Sequence, residues 1–276
     1  MERLDGGTRY DLGRDFVGSA RLNLQHYLWK ETLGFDLHPR AEADNSSEGL
    51  RIADVGTGTG VFILSLARRL SPSCSFVGFD ISDEQFPVPD GVPDNVAFRI
   101  ADAMSDPPDE FIGQFDIVHL RLFFCVVEDN NPLPPLNFCL KLLKPGGFLQ
   151  WDEYDQAYTK AYKLSPQAPI AAMTAMREGF SNGRQLGWIT TLKDFCETHG
   201  VQDVECIRTG PPPDFLTAYT QMVLVLYLEH ASLHDNSGNK EKGDSLRLLV
   251  AKCAEELKQG GVCRHWLQVV TGRKRF

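Results

Sequence analysis

RIADVGTGTGVFILSLARRL, Arg51–Leu70, joins a short apolar run to a stretch of helical periodicity through glycines at 56, 58 and 60. RIADV reads as a buried strand and Gly60–Leu70 as the helix that follows it. A glycine-rich turn between a first strand and its helix is where α/β folds hold nucleotides, because backbone without a Cβ comes close to a ligand. The dinucleotide pattern GxGxxG would need its third glycine at Val61, whereas this chain has GxGxG after Asp54 and Val55. No P-loop lysine follows, so a triphosphate is poorly served.

Strand and helix patterns alternate outward from this turn. SFVGFD, NVAFRIAD, FDIVHLR and GGFLQWDE read as a second to fifth strand, with a helix over Leu133–Leu143 that stops at KPGG. Helices are expected over Pro166–Gly183, Thr191–His199, Pro213–His230 and Glu241–Gln259, and strands over Val201–Arg208 and His265–Thr271. Such alternation predicts a parallel sheet covered on both faces. Ahead of it, Leu12–Leu33 reads as a helix with Phe16, Ala20, Leu24, Tyr27 and Leu28 on or near one face. The polar stretch Pro39–Gly49 reads as a linker. The organisation expected is an N-terminal helical lid over residues 1–48 and a single domain over 49–276.

The 276 residues, 42% of them hydrophobic, suffice for a sizeable core. A net charge of −9 argues against a broad nucleic-acid face. Seven cysteines without a CxxC pair suit reduced thiols better than a disulfide framework or a zinc site. His230 and His234 are four apart but lack further ligands nearby, so no metal is expected. With no apolar leader and no run of 18 apolar residues, a soluble, cytoplasmic protein without membrane partners is expected. Oligomeric state is left open.

Asp80 ends the second strand, twenty residues after Gly60, where a carboxylate accepts from ribose hydroxyls. Asp102 follows the third strand, where its side chain and the backbone of Ala103 suit an adenine edge. In DVGTGTG, GFDIS, IADAM and LKPGG, and in their order, residues from Leu50 to about Glu153 resemble the class I S-adenosylmethionine-dependent methyltransferases. YDLGR at 10–14, RLNLQHYLW, HLRLF and LQWDE resemble more narrowly a filamentous-fungal branch that modifies secondary metabolites, which includes relatives of the LaeA-type regulator.

The resemblance implies a Rossmann-like sheet of seven mostly parallel strands with an antiparallel last strand. It also implies S-adenosyl-L-methionine as cofactor, leaving as S-adenosyl-L-homocysteine. Residues expected around the cofactor are Tyr10, Arg14, Asp54, Gly56, Thr57, Gly58, Gly60, Asp80, Ile81, Asp102, Ala103, Met104 and His119.

Methyl transfer from a sulfonium needs alignment, exclusion of water and, for many acceptors, a base. His119 is the first candidate base, since imidazole titrates near neutrality, and Glu153 the second. Arg121, two residues from His119 and so on the same side of a strand, could instead hold a carboxylate of cofactor or substrate. Gln25, His26, Phe123, Phe124, Trp151, Tyr154, Met173 and Met176 are candidates for the lining of an apolar pocket. The expected substrate is a small aromatic molecule methylated at oxygen, with a slight preference, or at nitrogen or sulfur. A LaeA-like regulator and a cofactor-bound cyclase that transfers no methyl group are the alternatives.

Overall fold

Each apolar run flanked by turn residues becomes a strand in the computed structural model, which describes residues 12–43, 49–181 and 186–276. The strands are β1 (Arg51–Val55), β2 (Ser75–Asp80), β3 (Val96–Ile100), β4 (Phe115–Arg121), β5 (Leu143–Lys163), β6 (Val201–Thr209) and β7 (Gly261–Lys274). They form one sheet in the order β3-β2-β1-β4-β5-β7-β6. Strands β1 to β5 pair in parallel, and β7 is antiparallel to both its neighbours. This is the expected α/β sheet. The chain runs outward from β1 to β3 and returns to place β4 on the other side of β1, which opens a crevice at the carboxyl ends of β1 and β4.

Nine helices are described: α1 (Phe16–Leu33), α2 (Pro39–Ala43), α3 (Val61–Arg69), α4 (Leu133–Leu142), α5 (Ala171–Ser181), α6 (Gly187–Thr190), α7 (Leu192–Thr198), α8 (Leu216–Asn236) and α9 (Lys240–Lys258). None is long and apolar enough to cross a membrane. Two apolar clusters flank the sheet. One joins Ile52, Ile117 and Phe148 to Phe62, Ile63 and Leu66 of α3. The other holds Ala53, Val55, Val118, Leu120, Leu149 and Trp151 under α4 and the C-terminal helices. Successive strand residues point to opposite faces. Asp54, His119, Gln150 and Asp152 therefore share the α3 face with Ile52, Ile117 and Phe148, nearer the carboxyl edge.

Three elements differ from the sequence reading. In α1, Phe16, Ala20, Leu24 and Tyr27 face solvent (Phe16 is 83% exposed), while Arg21, Gln25, His26, Leu28 and Trp29 are buried. The inner face is polar because polar groups await it. Arg21 Nε donates to Glu229 of α8 at 2.7 Å, and Lys30 Nζ to Asp36 at 2.6 Å. Second, the Pro39–Gly49 linker starts with helix α2, whose Ala41 is buried with Leu37 in the α3-side cluster. Third, β5 and β7 are much longer than GGFLQWDE and HWLQVVT. They continue together as an antiparallel ribbon, with Lys160 opposite Arg264 and Lys163 opposite Gly261. The KPGG segment makes an irregularity near the start of β5, where Phe115 pairs with Leu143 and Ile117 with Phe148.

Candidate active site

The glycine turn lies at the mouth of the crevice between β1 and α3. Gly56, Gly58 and Gly60 all have left-handed backbone, with φ of 70°, 53° and 70°, a region that side chains disfavour. Their missing Cβ atoms also leave room for neighbouring side chains. A Cβ on Gly60 would stand 2.5 Å from the Phe98 ring, one on Gly56 2.9 Å from Phe123, and one on Gly58 3.2 Å from Leu22. The turn is held by Phe79, whose carbonyl accepts from Gly56 N–H and Thr57 N–H, and by Asp80, which accepts from Gly58 N–H at 2.8 Å. Burial raises the Asp80 pKa, partly offset by the Gly58 and Ser82 amides and by the charge of Arg14.

A cleft of about 1110 Å³, its open mouth included, runs along this turn. On its wall stand Arg14, Asp54, Gly56, Thr57, Gly58, Asp80, Ile81, Asp102, Ala103, His119, Arg121 and Phe123 of the expected residues. Met104 is off the wall, its N–H taken by Asp102 Oδ1 at 2.9 Å. Gly60 turns toward Phe98 and caps α3. Tyr10 lies outside the described residues.

Beneath the cleft runs a buried polar chain. Thr57 Oγ1 donates to Asp54 Oδ2 at 2.7 Å, His119 Nδ1 meets Asp54 Oδ1 at 2.7 Å, and His119 Nε2 meets Asp152 Oδ2 at 3.1 Å. Gln150 Nε2 donates to Asp152 at 3.2 Å and to the Asp36 carbonyl at 3.1 Å. Phe62 stacks on the imidazole at 3.7 Å. Burial alone would lower the His119 pKa, but the bonds to Asp152 and Asp54, with their charges, outweigh it and raise the value. With Nδ1 and Nε2 each engaged by a buried carboxylate, neither ring nitrogen is left for a substrate. The arrangement therefore makes His119 a brace linking β1, β4 and β5, not the general base expected from sequence.

Glu153 is displaced from the base role too, because the pleat sends it to the opposite face from Asp152. It is fully buried, and Oε1 accepts from Phe123 N–H at 2.7 Å and Trp151 Nε1–H at 2.9 Å. Burial pushes its pKa up to about 8. Its Oε2 has no hydrogen-bond partner among the described residues, and its carboxyl is off both cavity walls. Glu153 anchors the turn after β4, where Leu122 is held at φ 62°, a conformation costly for a bulky side chain. Leu122 N–H donates to the Asp152 carbonyl at 2.9 Å. Neighbouring Asp155 is committed to Arg208 at 2.8 Å.

Arg121 reaches the cleft as expected, its guanidinium 5.5 Å over Trp29 and 5.8 Å over Phe62. It approaches Nδ1 of His26 at 3.5 Å. Burial, then the charge of Arg121, lowers the His26 pKa to about 2, so His26 is neutral and accepts. His26 is thus a buried spacer between Arg121 and Asp36, not a pocket wall.

A second cavity of about 800 Å³, mouth included, adjoins the first. The two share Leu22 and Gln25 of α1 and the strained Leu122 as a common wall. Phe124, Tyr154 and Met176 line it as expected, with Met222, Tyr227 and His265 added. Gln25 Nε2 donates to Tyr154 Oη at 3.1 Å, fixing the shared wall. Trp151 and Met173 are core residues, fully buried away from either cavity. Leu22, Leu122 and His265 escaped the sequence reading. Each carried a signal: Leu22 lies in RLNLQHYLW, Leu122 in HLRLF, and His265 opens the last strand read from sequence.

The lining suits S-adenosyl-L-methionine. Asp80 and Asp102 supply acceptors for hydroxyl and amino groups, and Arg121 and Arg14 supply cations for a carboxylate. Phe62, Leu122, Phe123 and Val126 give apolar walls between them.

Comparison with known proteins agrees. Residues 46–182 match a family model described as a methyltransferase domain. The methyltransferase grgD of a Penicillium species is 33% identical over 143 residues, covering 49% of each chain. The N-methyltransferase tcpN of Claviceps purpurea is 34% identical over 135 residues, covering 48% of this chain and 47% of that one. The chain thus spans about half the length of these curated relatives in the match. Among solved structures, a chain of the Haloferax volcanii complex containing the Trm112 methyltransferase activator shares the fold, with a TM-score of 0.56 at 15% identity. That match covers 99% of this chain and 100% of the other. The stretch that matches the methyltransferase-domain family, residues 46–182, supplies the glycine turn, Asp80, Asp102 and the β4–β5 edge.

Proposed function

We propose that the protein transfers the methyl group of S-adenosyl-L-methionine to a nitrogen or oxygen of a small, largely apolar, aromatic molecule bound in the second cavity. The observation that carries this reading is the wall common to both cavities. Leu22, Gln25 and Leu122 separate a cleft built for a zwitterionic nucleoside from a pocket lined by Phe124, Tyr154, Met176 and Met222. Methyl transfer needs such adjacency, with the acceptor placed on the axis of the breaking bond and water kept out.

The chain's own groups divide the work. Asp80 and Asp102 bind and orient the nucleoside. Arg14 and Arg121 balance the carboxylate, and the Asp54–His119–Asp152 brace holds the glycine turn against the strand ends. The bound cofactor supplies an electrophilic methyl group and leaves as S-adenosyl-L-homocysteine. Neither His119 nor Glu153 presents a free base, which favours an acceptor that is nucleophilic before it loses a proton. A neutral amine meets that condition more readily than an alcohol or an amide. The N-methyltransferase of Claviceps purpurea points the same way.

Calorimetric titration with S-adenosyl-L-methionine and S-adenosyl-L-homocysteine tests the first half of the reading. Micromolar binding of both is expected, and failure of both would remove the cofactor assignment. Product mass tests the second half, because methylation adds one CH₂ whereas a cyclisation adds nothing.

A further inference from the structure

His265 stands on β7 opposite the irregularity of β5 between Asp155 and Lys160. It precedes by two residues Leu267, which pairs with Tyr154, so both rings lie on one face of the ribbon. Their centroids are 5.2 Å apart. The imidazole forms part of the wall of the second cavity. Both ring nitrogens are sealed from bulk water, and neither has a hydrogen-bond partner among the described residues. Leaving one such atom unpaired costs about 1–3 kcal/mol, and native proteins rarely do so twice on one side chain without a use for it.

Several other polar groups of this cavity are committed. Arg177 donates from Nε to the Thr159 carbonyl at 2.9 Å and from Nη2 to the Gln156 carbonyl at 2.7 Å. Tyr154 Oη accepts from Gln25, and Tyr227 Oη donates to the Met176 carbonyl at 2.7 Å. Burial, reinforced by the charge of Arg177, lowers the His265 pKa to about 4, so the ring is neutral near pH 7. A neutral imidazole has one N–H and one bare nitrogen to present.

We propose that His265 reads the methyl acceptor: its bare ring nitrogen accepts a hydrogen bond from an N–H or O–H of an otherwise apolar molecule and so orients the reacting atom. This inference rests on the second cavity being the acceptor's, as proposed above. It narrows the substrate class to uncharged, flat molecules that carry a hydrogen-bond donor. A cation is disfavoured beside Arg177. An aromatic hydrocarbon leaves both ring nitrogens unpaired.

The test uses the protein loaded with S-adenosyl-L-homocysteine and two probes of nearly equal shape, indole, which has an N–H, and benzothiophene, which has none. The ¹³C-labelled methyl groups of Met176 and Met222, both on the cavity wall, report occupancy independently of His265. Indole is expected to bind roughly tenfold more tightly than benzothiophene. His265→Phe should abolish that preference while benzothiophene still binds, and His265→Gln, which keeps an acceptor, should restore part of it. Unchanged S-adenosyl-L-homocysteine affinity in both variants shows that the fold has survived. An equal preference in wild type and His265→Phe, with both methyl signals moving, overturns the role of His265 alone. If neither probe moves the methyl signals of Met176 or Met222, the cavity assignment falls and the role of His265 with it.

Discussion

Replacing Glu153 with glutamine should stabilise the protein, and by an amount that grows with pH. The carboxyl is fully buried, and its pKa is raised from 4.5 to about 8 chiefly by that burial. Between those values the folded state holds a proton that the unfolded state has released, so stability falls as pH rises, by about 1.4 kcal/mol per pH unit. The loss is absent below the unfolded value, reaches about 3 kcal/mol at pH 7, and levels off at about 5 kcal/mol above the folded value. Glutamine cannot ionise in either state and is spared it. Its carbonyl keeps the bonds from Phe123 N–H and Trp151 Nε1–H, and its NH₂ takes the place of Oε2, which has no hydrogen-bond partner among the described residues. Urea unfolding of both proteins at about pH 5, 7 and 8.5 measures the gap. Turnover should stay within a few-fold, whereas loss of a general base would cost about a hundredfold or more. A variant less stable than wild type by the same amount at every pH would refute the argument from burial. A collapse of turnover with unchanged stability would return Glu153 to the chemistry.

Three further outcomes follow from the same geometry. His119→Ala leaves Asp54 and Asp152 buried without their shared partner and should cost about 3–5 kcal/mol in chemical denaturation. Because the His119 pKa is raised in the folded state, its contribution is complete below about pH 6.5 and fades as pH rises through the higher folded value, so the gap between wild type and variant should narrow on the alkaline side. Asp80→Ala removes both a ribose acceptor and the anchor of Gly58 N–H, and calorimetry should find S-adenosyl-L-homocysteine bound at least several-fold more weakly. Gly60→Ala forces a side chain into left-handed backbone and against the Phe98 ring. It should lose about 2 kcal/mol or more and several degrees of thermal midpoint, with Phe98→Leu recovering part of the loss.

Local chemistry makes much of this molecule legible in its sequence. Alternating apolar runs and helical stretches dictate a parallel sheet, and the glycine turn, Asp80 and Asp102 mark three successive strand ends, because each depends on residues close in the chain. What lies on each face of β5 was not legible. All residues from Phe148 to Asp155 are buried, so no alternation distinguishes Asp152, which faces His119, from Glu153, which faces away. Helix α1 misled for a related reason, since its inner face meets Glu229 and Tyr154, which lie 208 and 129 residues from their partners Arg21 and Gln25 in the chain and which only folding brings near. The same holds for His119, whose carboxylate partners come from β1 and β5, and for His265, whose two unpaired nitrogens become visible only when β7 closes the cavity beside Tyr154. Sequence determined which strand ends carry the chemistry; tertiary structure decided which side chains are free to perform it, because hydrogen-bond partners are set by packing across the sheet.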